Sequence, residues 1–403
     1  MISPGALPAA PLGVAVSGGG DSVALLLLLH RAGYDLQAAT VNHQLRPEAA
    51  SEAENVARLC ASIGVPHVVL KWESAGYKGN LQKAAREARH RLLAAWARAG
   101  GLQHIVLGHT LDDQAETVLM RLARGSGVDG LAGMAARRCE NGLCWHRPLL
   151  AVRREALREY LRENQVGWVD DPGNEDSRFD RVKARQALKA LAPLGLSAPR
   201  LGETADHMRR ARAALEADTL TLAESCAAIS PGGEVALAKP RFSAAPAEIR
   251  LRLLSAALVW VAGAAYRPRF SALEALMAAA LGSETCRNTL HGCVIDTGPD
   301  NVVINREPAA TPPPAPVTPC WDGRWEISVE NPKNLKIRAL GQDGLNLCPS
   351  WRDSGHSRTA LLASPSFWQG GDLISAPIAG FGDFGGAKLV NGQKGFYDAL
   401  ITH

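Results

Sequence analysis

The chain has 403 residues, 46% hydrophobic and 21% charged, with a formal charge of +4: the profile of an ordinary globular protein with room for two or three cores. The apolar run at 23–29 is seven residues long, too short for a bilayer, and MISPGALPAAPLG has no basic segment ahead of an apolar core, so the cytoplasm is the expected location. Eight cysteines (Cys60, Cys139, Cys144, Cys226, Cys286, Cys293, Cys320, Cys348) without a C-x-x-C argue against a zinc ribbon, an iron–sulfur cluster or a redox dithiol; buried, reduced thiols are expected.

In chain order, LGVAV is a first strand, which runs into Ser17-Gly18-Gly19-Gly20-Asp21-Ser22 and at once into the apolar helix VALLLLLHRAG. A strand, a glycine turn and a helix start gather backbone N–H groups and a positive dipole end around one anion. Ser17 and Ser22 add hydroxyl donors, and no Walker-type Lys-Ser/Thr ending follows. The loop reads as a pyrophosphate site, where ATP is cut between its α and β phosphates; the alternative is a glycine turn that binds nothing. LQAATVNH, PHVVLKW and QHIVLGHT are three further strands, with amphipathic helices at about 47–63, 80–99 and 112–124. This alternation predicts an α/β fold, a parallel sheet with helices on both faces. The glycine loop, Asn42-His43 and Gly108-His109 all follow strand ends and are expected in one crevice.

Asp21 with Asp112, Asp113 and Glu116 could hold Mg²⁺ jointly with phosphate oxygens, although acids in DDQAE also suit a helix start. His43 and His109 could contact phosphate or base, or be structural histidines. Arg124 and Asp129 flank a glycine-rich helix stop and are expected near the crevice. Cys139 and Cys144 surround Asn141-Gly142, a hairpin turn rather than a metal knuckle. A helix at 153–164 and the loop DDPGNEDSRFD at 170–180 come next. From Arg178 to Arg212 nine Lys or Arg face three acids, either a phosphate-backbone surface or a solvated helix face. Further on, HMRRARAALEADTLTLAESCAAI, 247–264 and 271–281 read as helices ahead of short strands in TLHGCVIDTG and NVVINRE. PAATPPPAPVTP, six prolines in twelve positions, reads as a stiff linker. The expected domains are 1–205, 206–306 (helical), the linker 307–319, and 320–403, a small β or α+β domain.

Together SGGGDS, VNHQLRPEA, GHTLDDQAETVLMRLARGSGVDGLAGM, RPLL and WVDDPGNEDSRFDRVKAR resemble the tRNA(Ile)-lysidine synthetases, a branch of the PP-loop ATP pyrophosphatases. The resemblance implies a ligase that forms a C–N bond. ATP and Mg²⁺ adenylate the C2 oxygen of the wobble cytidine in a CAU-anticodon tRNA(Ile), releasing pyrophosphate, and L-lysine then displaces AMP. It further implies that Ser17, Gly18, Gly19, Gly20, Asp21 and Ser22, with His43 and His109, bind ATP. Asp21, Asp112 and Asp113 would hold the metal, and Asp21, Arg124 and Asp129 would be catalytic, Asp129 at the lysine amine. Arg178, Arg181, Lys183 and Arg185 would meet tRNA, as would the helical domain, with the last segment reading the acceptor end; a homodimer is left open. Where the family shows R-N-x-I-R, this chain has Arg181-Val182-Lys183-Ala184-Arg185. A PP-loop thiolase and a non-enzymatic RNA-binding protein are the competing readings. The first lacks its C-x-x-C here, and the second does not explain an intact SGGGDS.

Overall fold

Residues at alternate positions of the first strand are buried on opposite sides, and that fixes the architecture of the N-terminal half. The computed structural model describes residues 7–44, 49–72, 81–140, 142–169, 180–282, 284–390 and 392–401, apart from the side chains of 81–83. β1 (Leu12–Ala15), α1 (Gly20–Arg31), β2 (Leu36–Asn42), α2 (Ala49–Ser62), β3 (His67–Lys71), α3 (Leu81–Ala99), β4 (His104–Leu107) and α4 (Leu111–Leu122) follow the expected alternation. The short α5 (Val128–Leu131), the hairpin β5 (Arg137–Glu140) and β6 (Leu143–His146), α6 (Arg154–Glu163) and α7 (Asp180–Leu191) follow, then the long α8 (Ala198–Cys226).

The sheet order is β3-β2-β1-β4-β6-β5, parallel except for β5 at the edge. Leu12, Val14, Val16 and Val106 pack against α1, α2 and α6 through Leu25, Leu29, Val56 and Leu157. Ala15, Ile105 and Leu107 turn to the other face and meet Leu93 and Ala97 of α3. A sheet buried on both faces has near-continuous apolar strands, as these are. β1 is followed by β2 on one side while β4 lies on the other, so the chain order reverses between β1 and β4. Ligands of open parallel sheets bind outside the strand ends at that reversal.

The expected hairpin is present as the antiparallel pair β5–β6, with Asn141 outside the described residues, but Cys139 and Cys144 are not reduced thiols: they form a disulfide. The two are register partners across the hairpin with Cα atoms 4.0 Å apart, which brings the sulfurs together. Of the other cysteines, Cys60, Cys226, Cys293 and Cys348 are buried thiols, Cys286 is half-buried and Cys320 exposed.

Two compact units divide the chain, 1–212 and 213–403. The second holds a feature that alternation alone did not reveal, a five-stranded antiparallel sheet. It consists of β7 (Ala227–Ile229), β8 (Val235–Ala238), β9 (Cys286–Leu290), β10 (Cys293–Thr297) and β11 (Asn301–Arg306). α9 (Lys239–Ala244), α10 (Ala247–Ala262) and α11 (Phe270–Leu281) share its core through Phe242, Leu254, Leu258 and Leu276. Short antiparallel strands form two further sheets in 315–389, and Ala315–Pro316 of the proline-rich stretch pairs with Lys336 and Ile337. Among the described residues no helix is long and apolar enough to cross a membrane.

Candidate active site

The glycine loop is held from within. Ser22 Oγ donates to Gly19 O at 2.9 Å and accepts from Ser17 N at 3.1 Å, so one hydroxyl fastens both ends of the turn. Gly18 has φ +88°, a left-handed conformation that a side chain would strain by about 1–2 kcal/mol. Gly19 caps α1 with no side-chain acceptor: Ser22 N and Val23 N donate to Gly19 O, and the N–H groups of Gly20 and Asp21 receive no side-chain cap. Gly108 at the end of β4 passes so close that a Cβ there would lie 3.1 Å from the Asp21 carbonyl oxygen. These contacts lock the loop to the neighbouring strand end.

α4 starts beside it on a capping box: Thr110 Oγ1 accepts from Asp113 N at 3.3 Å, and Thr110 N donates to Asp113 Oδ2 at 2.9 Å. Asp113 therefore does what a helix start requires, yet its other oxygen faces the crevice. Arg154, at the start of α6, donates through Nε to Asp21 Oδ2 at 2.8 Å and through Nη2 to Asp113 Oδ1 at 2.9 Å. Its Nη1 lies 3.6 Å from Glu116 Oε1, which also accepts from Arg185 Nε at 2.6 Å. Arg181 stands 3.8 Å from Asp113. Burial raises the Asp21 carboxyl above its usual range against the pull of Arg154. Burial pushes Asp113 the same way, but Arg154, the Thr110 amide, Arg181 and His109 together hold it below. Burial drives the His109 imidazole far below its ordinary value, further than Asp113 restores it, so His109 is neutral at pH 7.

The sequence-derived residues fall into two groups. Asp21, Asp113 and Glu116 meet, while Asp112 turns to the side, accepting from Arg153 Nε at 3.2 Å and from Arg154 N at 2.7 Å. His43 stands in a cavity of about 190 Å³ with Ser17, Thr40, Asn42, Glu52 and Arg89. Burial and then Arg89 hold the His43 imidazole below its usual value. Arg181 and Arg185 line the inner face of α7, Lys183 its exposed face, and Arg178 lies outside the described residues. Arg124 and Asp129 sit at the far end of α4: Arg124 pairs with Asp180 at 3.0 Å, and α5, which carries Asp129, is bound through Gly130 O to Arg121. From Asp113 to Arg121 is about 12 Å along the helix axis.

The donor set fits a hard divalent cation shared with phosphate oxygens. Asp21 Oδ1 is buried without a hydrogen-bond partner among the described residues. Among those residues no three His, Cys, Asp or Glu side chains could hold a metal by themselves.

A PP-loop domain family matches residues 4–191. A tRNA(Ile)-lysidine synthase from Ruegeria pomeroyi is 46% identical over 403 residues, 99% of this chain and 96% of that one. The chain belongs to the tRNA(Ile)-lysidine synthase family. A second such synthase, from Wolbachia pipientis wMel, is 38% identical over 73% of this chain and 70% of its own. Among solved structures, the U34-tRNA thiolase NcsA from Methanococcus maripaludis with its [4Fe-4S] cluster covers 51% of this chain and 73% of its own. At a TM-score of 0.44 and 16% identity it carries no weight for function.

Three arginines in this lysidine synthase family member, Arg86, Arg89 and Arg154, were not singled out by sequence pattern, whereas Arg147 opens the RPLL motif. Arg154 is the hub of the carboxylates. Arg86, Arg89 and Arg147 add positive charge: burial and then Arg86 and Arg181 hold Arg89 below its usual value, and burial and then Arg86 push Arg147 down to about 10. One signal was available for Arg154: a basic residue in a first helical turn opposes the helix dipole, so something else must hold it there.

Proposed function

We propose that this chain makes lysidine. It adenylates the C2 oxygen of the wobble cytidine in a CAU-anticodon tRNA(Ile) with ATP and joins the lysine amine to C2, releasing pyrophosphate and then AMP. The site of action is the cytoplasm, where ATP, lysine and tRNA meet. The observation that carries the reading is an uncapped helix start in a rigid glycine loop, set against a buried carboxylate–arginine cluster at the sheet's reversal point. Anion and cation sites side by side suit an ATP–metal complex.

In this reading the loop at 17–22 receives the pyrophosphate portion, its N–H groups taking charge as the α–β bond breaks. Asp21 and Asp113 hold Mg²⁺, which when bound neutralises phosphate charge. His43, Thr40 and Asn42 line the adjoining 190 Å³ cavity for the rest of the nucleotide. Arg86, Arg147 and Lys183 on the exposed face of α7 offer positive charge to RNA phosphates, and the cytidine is extruded from its stack to expose C2.

Two carboxylates compete for the lysine amine. Asp129 is the expectation from resemblance. Glu116 is the second candidate: it is buried, lines a cavity of about 510 Å³ and keeps Oε2 without a hydrogen bond among the described residues while Arg185 and Arg154 hold Oε1. Asp129 Oδ1 is buried likewise. Arg153, Arg185 and Lys189 line the same cavity, so an amino acid would find an anion for its ammonium and cations for its carboxylate.

The test is AMP formation by the purified protein. It is expected to require lysine and tRNA together and to stop when the wobble cytidine becomes uridine. Glu116→Gln is expected to raise the KM for lysine by roughly tenfold or more, a larger factor than any change in the KM for ATP, through the loss of one buried charge-assisted contact. AMP formation indifferent to lysine would refute the function. A lysine KM altered by Asp129→Asn and not by Glu116→Gln would return the amine to Asp129.

A further inference from the structure

We infer that Arg154 is the resident cation of the carboxylate cluster and keeps the divalent-metal position closed until nucleotide arrives; the inference rests on the ATP-cleaving function proposed above. The cluster carries no uncompensated negative charge, and Arg158 adds a further positive pull on Asp21. Asp21, Asp113 and Glu116 face Arg154, Arg181 and Arg185, three negative groups against three positive. A free divalent ion would bring two uncompensated positive charges into a largely buried place, at a cost that low local dielectric magnifies. ATP carries phosphate charge to the adjoining loop and reverses that balance.

The arginine also cannot drift away unaided. Its backbone N–H is tied to Asp112 Oδ2 at 2.7 Å, and Arg153 Nε meets both oxygens of Asp112 at 3.2 Å, so the start of α6 is clamped to the start of α4. The guanidinium takes one oxygen from Asp21 and one from Asp113. Asp21 Oδ1 and Glu116 Oε2 stay buried and unpartnered among the described residues, the first being the atom a metal would take together with phosphate oxygens. The metal therefore enters with the nucleotide and not before it.

The test titrates the full chain with Mn²⁺ and follows the free ion by electron paramagnetic resonance, with and without α,β-methylene-ATP. Wild type is expected to bind Mn²⁺ tightly only with the nucleotide, beyond what the analogue alone chelates at the same concentration. Arg154→Gln is expected to gain a nucleotide-free site at least roughly tenfold tighter than wild type, because an acidic pocket loses its internal cation. Adding Asp21→Asn should abolish that site. Wild type binding Mn²⁺ equally well without nucleotide would overturn the inference, and that measurement holds even if the variant fails to fold. A folded Arg154→Gln protein that gains no site would also overturn it. If the analogue itself does not bind, by equilibrium dialysis, the ATP-cleaving function fails, while the nucleotide-free comparison still judges Arg154.

Discussion

Arg154 and His146 illustrate how one side chain's surroundings decide its charge. Arg154 stands where the dipole of its own helix disfavours it, and three carboxylates outweigh that dipole, raising its already high pKa further despite burial. His146 shows the opposite balance. It is 6% exposed, its Nε2 lies 3.2 Å from His104 Nδ1, and burial, then His104, Arg137 and Arg147, push it down to about 4. The unfolded chain binds a proton there below its ordinary 6.5, while the folded chain declines it until about 4. Stability from this group is therefore complete above the unfolded value and falls as pH drops through that window. His146→Gln is expected to lose less stability than wild type between about pH 7 and about pH 5, measured by denaturant unfolding. Equal losses would show that His146 takes no part in acid sensitivity.

At the scale of elements, α4 carries both structure and site in its first turn. Thr110 is fully buried and supplies the capping hydroxyl, which also donates to Asp113 Oδ2 at 2.9 Å. Thr110→Ala is expected to destabilise the N-terminal unit by about 1 kcal/mol, and Thr110→Ser to restore most of it. Matching unfolding midpoints for wild type and Thr110→Ala would mean that the box contributes nothing. The same helix shows what was legible in the sequence. SGGGDS, the apolar strands and DDQAE pointed to the sheet, the crevice and its three central acids, because each is a local pattern with a local physical cause. Arg154 was not legible as their partner: it lies 133 residues from Asp21, and only the sheet order brings them together. The inward turn of Arg181 and Arg185 was hidden for the same reason. A basic helix reads alike whether its charges meet RNA or buried carboxylates. In the second unit, strands of three to six residues such as Ala227–Ile229 carry too short an alternation to declare a five-stranded sheet.

For the whole molecule, the parallel sheet acts as a rigid frame. Two apolar cores, one on each face, fix the ends of β1 and β4, and the site is built from loops that leave those ends. Identity to the Ruegeria pomeroyi synthase runs through both units, over 99% of the chain, so the second unit belongs to the same family pattern as the first. Whether the carboxylate–arginine crevice joins lysine to a wobble cytidine can be read in one incubation, with ATP, Mg²⁺, labelled lysine and a CAU-anticodon tRNA(Ile) transcript, by counting the label retained on the RNA. Retention is expected to need ATP and to disappear when the wobble cytidine is replaced by uridine. Pyrophosphate release with tRNA but no label on it would rule out lysine transfer and point to another nucleophile.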